Sequence, residues 1–289
     1  MFVGQTRKKT RGMALILAML IAAIAATVAV TLIDNQSRWM QSVETRRDYA
    51  QAKSLAVAGL YWATHVLDED ARQSQVDHLL ESWAYPLPPT PIENGMIEGQ
   101  IIDLQGKINL NSLLPGSRYR TETQRSLTRL AVLLNLDPAL LTPVFARFAE
   151  PESPLSSVAA KKPEIPPMFD ASELAALLPA AAFNKILAFV TALPEATPVN
   201  VNTATREVIA AMLPDLTEGE VTEFIEKRPF RSAASLRAAL PGRRRNGAIA
   251  VASRYFFITV RAVQNQTESS AQAIVCRKES PEIIRRTVE

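Results

Sequence analysis

The feature that most constrains this chain is an uninterrupted apolar run near its start. Residues 13–33 carry no charge and only two polar side chains, Thr27 and Thr31. About 20 apolar helical residues cross roughly 30 Å of hydrocarbon, so these 21 residues fit one membrane span. Arg7, Lys8, Lys9 and Arg11 precede the run and no acid occurs before Asp34, an asymmetry that holds the N-terminus on the cytoplasmic side and sends the rest across. Two fates are open to such a segment. A cut at Ala22-Ala23 or Ala25-Ala26 makes it a signal peptide and releases the remainder. A cut between Gly12 and Met13 removes only the charges and leaves the whole apolar helix on the mature chain.

The net charge of +3 belongs mostly to the leader, because without its four cations 28 basic residues face 29 acids. A strongly basic nucleic-acid-binding surface is therefore not implied. Cys276 is the only cysteine, which excludes an intramolecular disulfide and any CxxC motif, so stability must come from packing. The 289 residues, 47% apolar and with 19 prolines, leave room for the membrane helix plus one or two globular pieces joined by stiff linkers.

No glycine lies between Gly12 and Gly59 and no proline precedes Pro86, so the membrane helix is free to continue. Running to about Leu67 it spans roughly 80 Å, with Trp39, Val43, Ala50, Ala56, Leu60, Ala63 and Leu67 near one face to pack on a soluble domain. Tyr85-Pro86-Leu87-Pro88-Pro89-Thr90-Pro91 forbids helix and favours extended chain. Residues 95–104 alternate as a strand, Gln105-Gly106 marks a turn, and the asparagines flanking Leu110 suit side-chain bonds to local backbone. Short helices follow at 122–134, 138–148, 171–178, 181–193, 207–213 and 218–227, with a five-proline linker at 150–167. Thr203 or Thr205 caps the fifth of these, with Glu207 in its first turn. Residues 255–263 and 271–277 form an antiparallel hairpin, which is expected to pair with the lone strand near 95–104.

The Gly12-Met13 junction before an apolar helix is similar to the type III signal of type IV pilins and pseudopilins. Across the chain the motifs resemble the minor pseudopilin of type II secretion called general secretion pathway protein K. They are Asp77-His78-Leu79, Trp83-Ala84, Pro86-Leu87-Pro88, Asp103-Leu104-Gln105-Gly106-Lys107-Ile108-Asn109-Leu110-Asn111, Asn200-Val201-Asn202-Thr203-Ala204, and Pro229-Phe230 with Ser232. The resemblance implies an α+β, pilin-like fold with a long N-terminal helix, a small antiparallel sheet and a large all-α insertion. Its expected parts are a cleaved leader at 1–12, a transmembrane and assembly helix at 13–33, a pilin-like helix and first strand region at 34–110, an inserted α-helical domain at 111–246, and a C-terminal hairpin and tail at 247–289.

The resemblance also implies processing at Gly12 and Met13 by a prepilin peptidase, with methylation of the new N-terminus. Most pilins and pseudopilins carry glutamate at the fifth mature position, thought to pair with the N-terminal amine of the adjoining subunit; here that position is Leu17. A buried carboxylate lacking its cation is strongly disfavoured, so a subunit with no neighbour above it has no use for one. Met13 still offers its amine to a subunit below. The implied partners are minor pseudopilins I and J, the major pseudopilin, the inner-membrane secretion platform and the secreted proteins. The expected location is the inner membrane, single-pass, with the main domain periplasmic. Some family members bind calcium, but no ligand set can be matched here and no metal is assigned.

Asn202-Thr203-Ala204 with Pro229-Phe230 also resembles helix-hairpin-helix DNA receptors, which need hairpin glycines so that backbone amides reach phosphate. Residues 213–220 instead carry three acids and one glycine, and Arg243-Arg244-Arg245 is the one basic cluster outside the leader, so no nucleic-acid partner is expected. An enzyme is not expected either: His65 and His78 lie outside any nucleophile motif, and no phosphate loop or metal spacing occurs.

Overall fold

A computed structural model describes residues 10–149, 165–242, 248–278 and 280–289. It opens on a 64-residue helix, α1 (Thr10–Gln73), roughly 95 Å long. Five strands then form one antiparallel sheet in the order β1-β2-β7-β8-β9: β1 (Leu87–Ile92), β2 (Gly95–Asp103), β7 (Tyr255–Gln264), β8 (Thr267–Arg277) and β9 (Pro281–Val288). Between β2 and β7 the chain makes a helical block with β3 (Ile108–Asn109), α2 (Arg120–Leu133), α3 (Thr142–Arg147), α4 (Ala180–Ile186), β4 (Val190–Thr191), β5 (Val199–Asn200), α5 (Arg206–Met212), α6 (Glu218–Glu226), α7 (Ala233–Ala238) and β6 (Ile249–Ala250).

The fold is α+β and the long helix, the sheet and the insertion stand as expected. The lone strand pairs with the hairpin in register Ile101↔Ile258↔Ala273, and the proline-rich stretch becomes the edge strand β1, where missing N–H groups cost least. Left-handed Asn94 and Asn265 make the tight turns before β2 and β8.

Only part of α1 is covered. Ala52, Ala56, Leu60, Ala63 and Leu67 are buried against Phe256, Ile258, Val260, Ala271 and Val275. Trp39, Val43 and Ala50, expected on the same packed face, are exposed. The reason is length. A ten-residue strand such as β7 spans roughly 33 Å, enough to cover about 22 helical residues. The sheet's near end is marked by Asn265, whose Nδ2 donates to Asp48 at 2.9 Å, and N-terminal to Asp48 the helix is exposed among the described residues.

Small residues set the helix-to-sheet spacing. A Cβ on Gly59 would lie 2.7 Å from Val260 Cγ1 and 3.1 Å from Ile97 Cδ1. Gly59→Leu should therefore push α1 off the sheet and lower stability by about 1–3 kcal/mol, read as a reduced thermal midpoint of the protein in detergent; an unchanged midpoint would show that the spacing is not fixed by this contact.

The helical block has its own core, including Leu110, Leu130, Val144, Ile186, Val208, Met212 and Phe224. Ile108, Ala248 and Val251, at its two chain crossings, bury in that core too. Several local expectations need correction. The insertion expected to be all helix also carries two short parallel pairings, β3 with β4 and β5 with β6. The helix expected at 181–193 stops at Ile186, because Val190 and Thr191 pair with Ile108 and Asn109. The tail after the hairpin is a fifth strand, β9, and α7 was not foreseen, though Ser232 caps it through the N–H of Ser235 at 3.0 Å. The cap on α5 is Thr205 rather than Thr203. The proline linker at 150–167 falls largely outside the described residues, as does Arg243-Arg244-Arg245.

Candidate functional site: an assembly helix and a buried polar junction

Two features define this chain. The first is the free end of α1. Gly12 has nothing within 4 Å of a Cβ position, Met13 is 72% exposed and Leu17 58% exposed. The apolar window of α1 is wholly uncovered and is long and apolar enough to cross a membrane. Gly12, Met13 and Leu17 thus stand together on the open first turns of the helix.

The second is a polar junction buried where the chain crosses between sheet and helical block. Asn200, fully buried, donates through Nδ2 to Asp103 Oδ2 at 2.9 Å, to Ser253 Oγ at 2.9 Å and to the Asp77 carbonyl at 3.1 Å. Ser253 Oγ and Thr203 Oγ1 each donate to Asp103 Oδ2 at 2.6 Å, and the Gln105 N–H donates to Oδ1 at 2.7 Å. Arg277, at the end of β8, bridges Asp70 at 2.9 Å and Asp77, while lying 4.7 Å over the Phe256 ring. Helix α1, β2, the block and β8 are therefore tied at one point.

The two Asn-x-Asn motifs work alike. Asn109 Oδ1 accepts from the Asn111 N–H at 3.1 Å, and Asn200 Oδ1 from the Asn202 N–H at 3.0 Å. Each second asparagine then pairs with distant backbone as a strand would. Asn111 exchanges bonds with Met168 N–H and C=O at 2.8 Å each, and Asn202 with Phe230 at 2.8 and 3.1 Å. Buried polar groups require partners, and these amides give them to loops that have no ladder. Gly106 is the tight point of the Gln105-Gly106 turn, since a Cβ there would sit 2.9 Å from Thr203 Oγ1 and 3.1 Å from Thr203 backbone. Trp83 completes the edge, its Nε1 donating to Glu81 at 2.8 Å and its ring meeting Phe256 edge-on at 5.2 Å.

Burial raises the Asp103 and Asp70 carboxyls above the usual range, against the hydrogen bonds Asp103 accepts and the pull of Arg277 on Asp70. Burial pushes Asp77 up to about 7, with Arg277 opposing it. The native state then holds a proton that the unfolded chain has released between about pH 4 and pH 7, so stability falls as pH rises through that window. Asp77→Asn should flatten this slope, as measured by thermal midpoints at pH 5 and pH 8; an equal slope in the variant would place the titration elsewhere.

One group of three acids, Asp70, Asp77 and Glu81, brings ligand atoms within 4.8 Å of one another. It does not fit calcium, because Arg277 already supplies the cation between Asp70 and Asp77, and Glu81 accepts from Trp83 and the His78 N–H. The turn between α5 and α6 does not fit DNA phosphate either. The Glu220 carboxylate occupies the α6 N-terminus through Thr217 N–H at 2.8 Å, and Glu218 pairs with Arg206 at 3.1 Å. Arg277 and Ser253 carried no motif; the signal for Arg277 was a lone cation closing the apolar run Ile274-Val275-Cys276.

A long helix docked by its distal half on an antiparallel sheet is a pilin-like fold, here with a helical block inserted between β2 and β7 and with a first helical stretch long and apolar enough to cross a membrane. The family described as "Type II secretion system (T2SS), protein K" matches residues 199–255, which include Asn200, Asn202, Thr203 and Ser253 of the junction. Type II secretion system protein K of Pseudomonas aeruginosa is 29% identical over 86% of this chain and 84% of that protein, and its namesake from Klebsiella pneumoniae is 28% identical over 80% and 79%. In the crystal structure of the GspK-GspI-GspJ complex from enterotoxigenic Escherichia coli, one chain shares the fold with a TM-score of 0.71 at 18% identity, covering 86% of this chain and 99% of that one. The chain is therefore similar to type II secretion system protein K over most of its length, and the family model falls on the segment that carries the junction. These relatives are named for a secretion system and not for a catalysed reaction.

Proposed function

We propose that this chain is a minor pseudopilin that helps to initiate the pseudopilus and caps its tip, so that folded proteins are driven across the outer membrane. A prepilin peptidase removes residues 1–12, and the helix from Met13 is held first in the inner membrane and then in the fibre, with the sheet and block in the periplasm. The observation that carries the reading is Leu17: it stands uncovered on the assembly helix where a carboxylate would meet the amine of a subunit above. Without that carboxylate the chain offers Met13 to a subunit beneath and makes no matching contact upward. The helical block, rigidly tied by the Asp103–Asn200 junction, adds bulk that obstructs further stacking.

The partners of this function are minor pseudopilins I and J, the major pseudopilin below and the inner-membrane platform, in keeping with a structural relative solved in a complex named for K, I and J. Trp39, Tyr61 and Trp62 of α1 are exposed and open to neighbouring helices. Co-purification of the full-length protein in detergent with pseudopilins I and J tests the reading; it predicts recovery of both, and recovery of neither would reject it.

A further inference from the structure

Lys107 is the one residue of Asp103-Leu104-Gln105-Gly106-Lys107-Ile108-Asn109-Leu110-Asn111 whose polar side chain the junction does not use. Asp103, Gln105, Asn109 and Asn111 are all bonded to protein groups. The Lys107 ammonium has no hydrogen-bond or ion-pair partner among the described residues, and burial alone lowers its pKa, with no acid acting on it. The side chain is half-buried, with its ammonium still accessible and without a counter-charge among the described residues.

Lys107 lines an open cleft of about 530 Å³ on the sheet face away from α1, between the sheet and the helical block. Leu104, Phe257 and Ile274 supply an apolar floor. The acid in the cleft lining, Asp170, is committed elsewhere: it pairs with Arg285 at 2.9 Å and caps the following turn through the Ser172 N–H at 2.8 Å. Arg285 is held further over the Phe169 ring at 3.6 Å. The cleft thus combines an uncompensated cation with an apolar surface, and its own carboxylate is not available to fill the gap.

We infer that this cleft binds an exposed segment of a partner protein carrying an acidic side chain beside an apolar one, the carboxylate on Lys107 and the apolar group on Leu104, Phe257 and Ile274. Charge complementarity selects the acid, and the apolar floor beside the cation selects a peptide over a bare anion. The site is separate from the assembly helix, so it does not depend on where in the fibre the subunit stands, and failure to recover pseudopilins I and J leaves it untouched.

The test is a titration of the full-length protein in detergent micelles, with lysine side chains isotope-labelled and the Lys107 signal assigned from Lys107→Met. N-acetyl-Leu-Glu-Leu-amide should move that signal and bind about tenfold more tightly than the glutamine peptide, a difference of about 1.4 kcal/mol. Lys107→Met should abolish the preference and Lys107→Arg, which keeps the charge, should retain it even if the methionine variant folds poorly. No movement of the Lys107 signal, equal binding of the glutamine peptide, or a preference that survives in a folded Lys107→Met protein would overturn the site. Equal displacement by inorganic phosphate at the same concentration would overturn the peptide as its occupant.

Discussion

Asn200→Ala should lower the unfolding free energy by about 3–5 kcal/mol, among the largest effects of any single substitution in this chain. The side chain is fully buried and serves three acceptors and one donor at once. Truncation leaves the Asp77 carbonyl and the Asn202 N–H short of partners and removes one of the bonds that hold the buried Asp103 carboxylate. Each orphaned group costs about 1–3 kcal/mol. Chemical denaturation of the protein in detergent reads the loss directly. Asn200→Asp sharpens the test, because it sets a second carboxyl against Asp103: its stability should be lowest at neutral pH and recover as pH falls toward 4. A loss below 1 kcal/mol for Asn200→Ala would mean that the block is held on the sheet by apolar contact and the junction is dispensable.

Leu17→Glu should impair assembly, which is the reverse of its expected effect in a shaft subunit. Position 17 lies near the start of the apolar window, and a carboxyl there with no amine above it costs on the order of 2 kcal/mol, equivalent to roughly a thirtyfold shift in equilibrium. Secreted protein in the medium should fall several-fold, with Leu17→Met indistinguishable from wild type. If the glutamate variant secretes normally, a cation must be waiting for it, and a neighbour stands above this subunit after all.

Long, simple patterns in the sequence specify the longest elements of the fold. A charge-free run with a one-sided basic flank specifies its own solvent, so α1 was legible from residues 13–33 alone. Alternation made β2, β7 and β8 legible for the same reason. The asparagines around Leu110 were readable as local backbone caps, and Asn109 is one, through the Asn111 N–H. Their second task was not readable: Asn111 reaches Met168 and Leu193, 57 and 82 positions away, and nothing in a nine-residue motif announces a partner so remote. The same limit hid β4 and β6, two residues each, whose strand character exists only through β3 and β5. Trp39 and Val43 continue the apolar stripe of the packed face, yet stand exposed because the sheet is shorter than the helix. Nothing in the sequence singles out Lys107; only the cleft around it shows a cation beside an apolar surface.

The position of the subunit in the fibre is open to direct imaging. A compact tag inserted at residue 116, where Gly116 forms an exposed turn of the helical block with space around its Cβ position, can be labelled with gold and viewed on assembled pseudopili by electron microscopy. One cluster of label at a single end of each fibre is the predicted result, and label distributed along the shaft would contradict it.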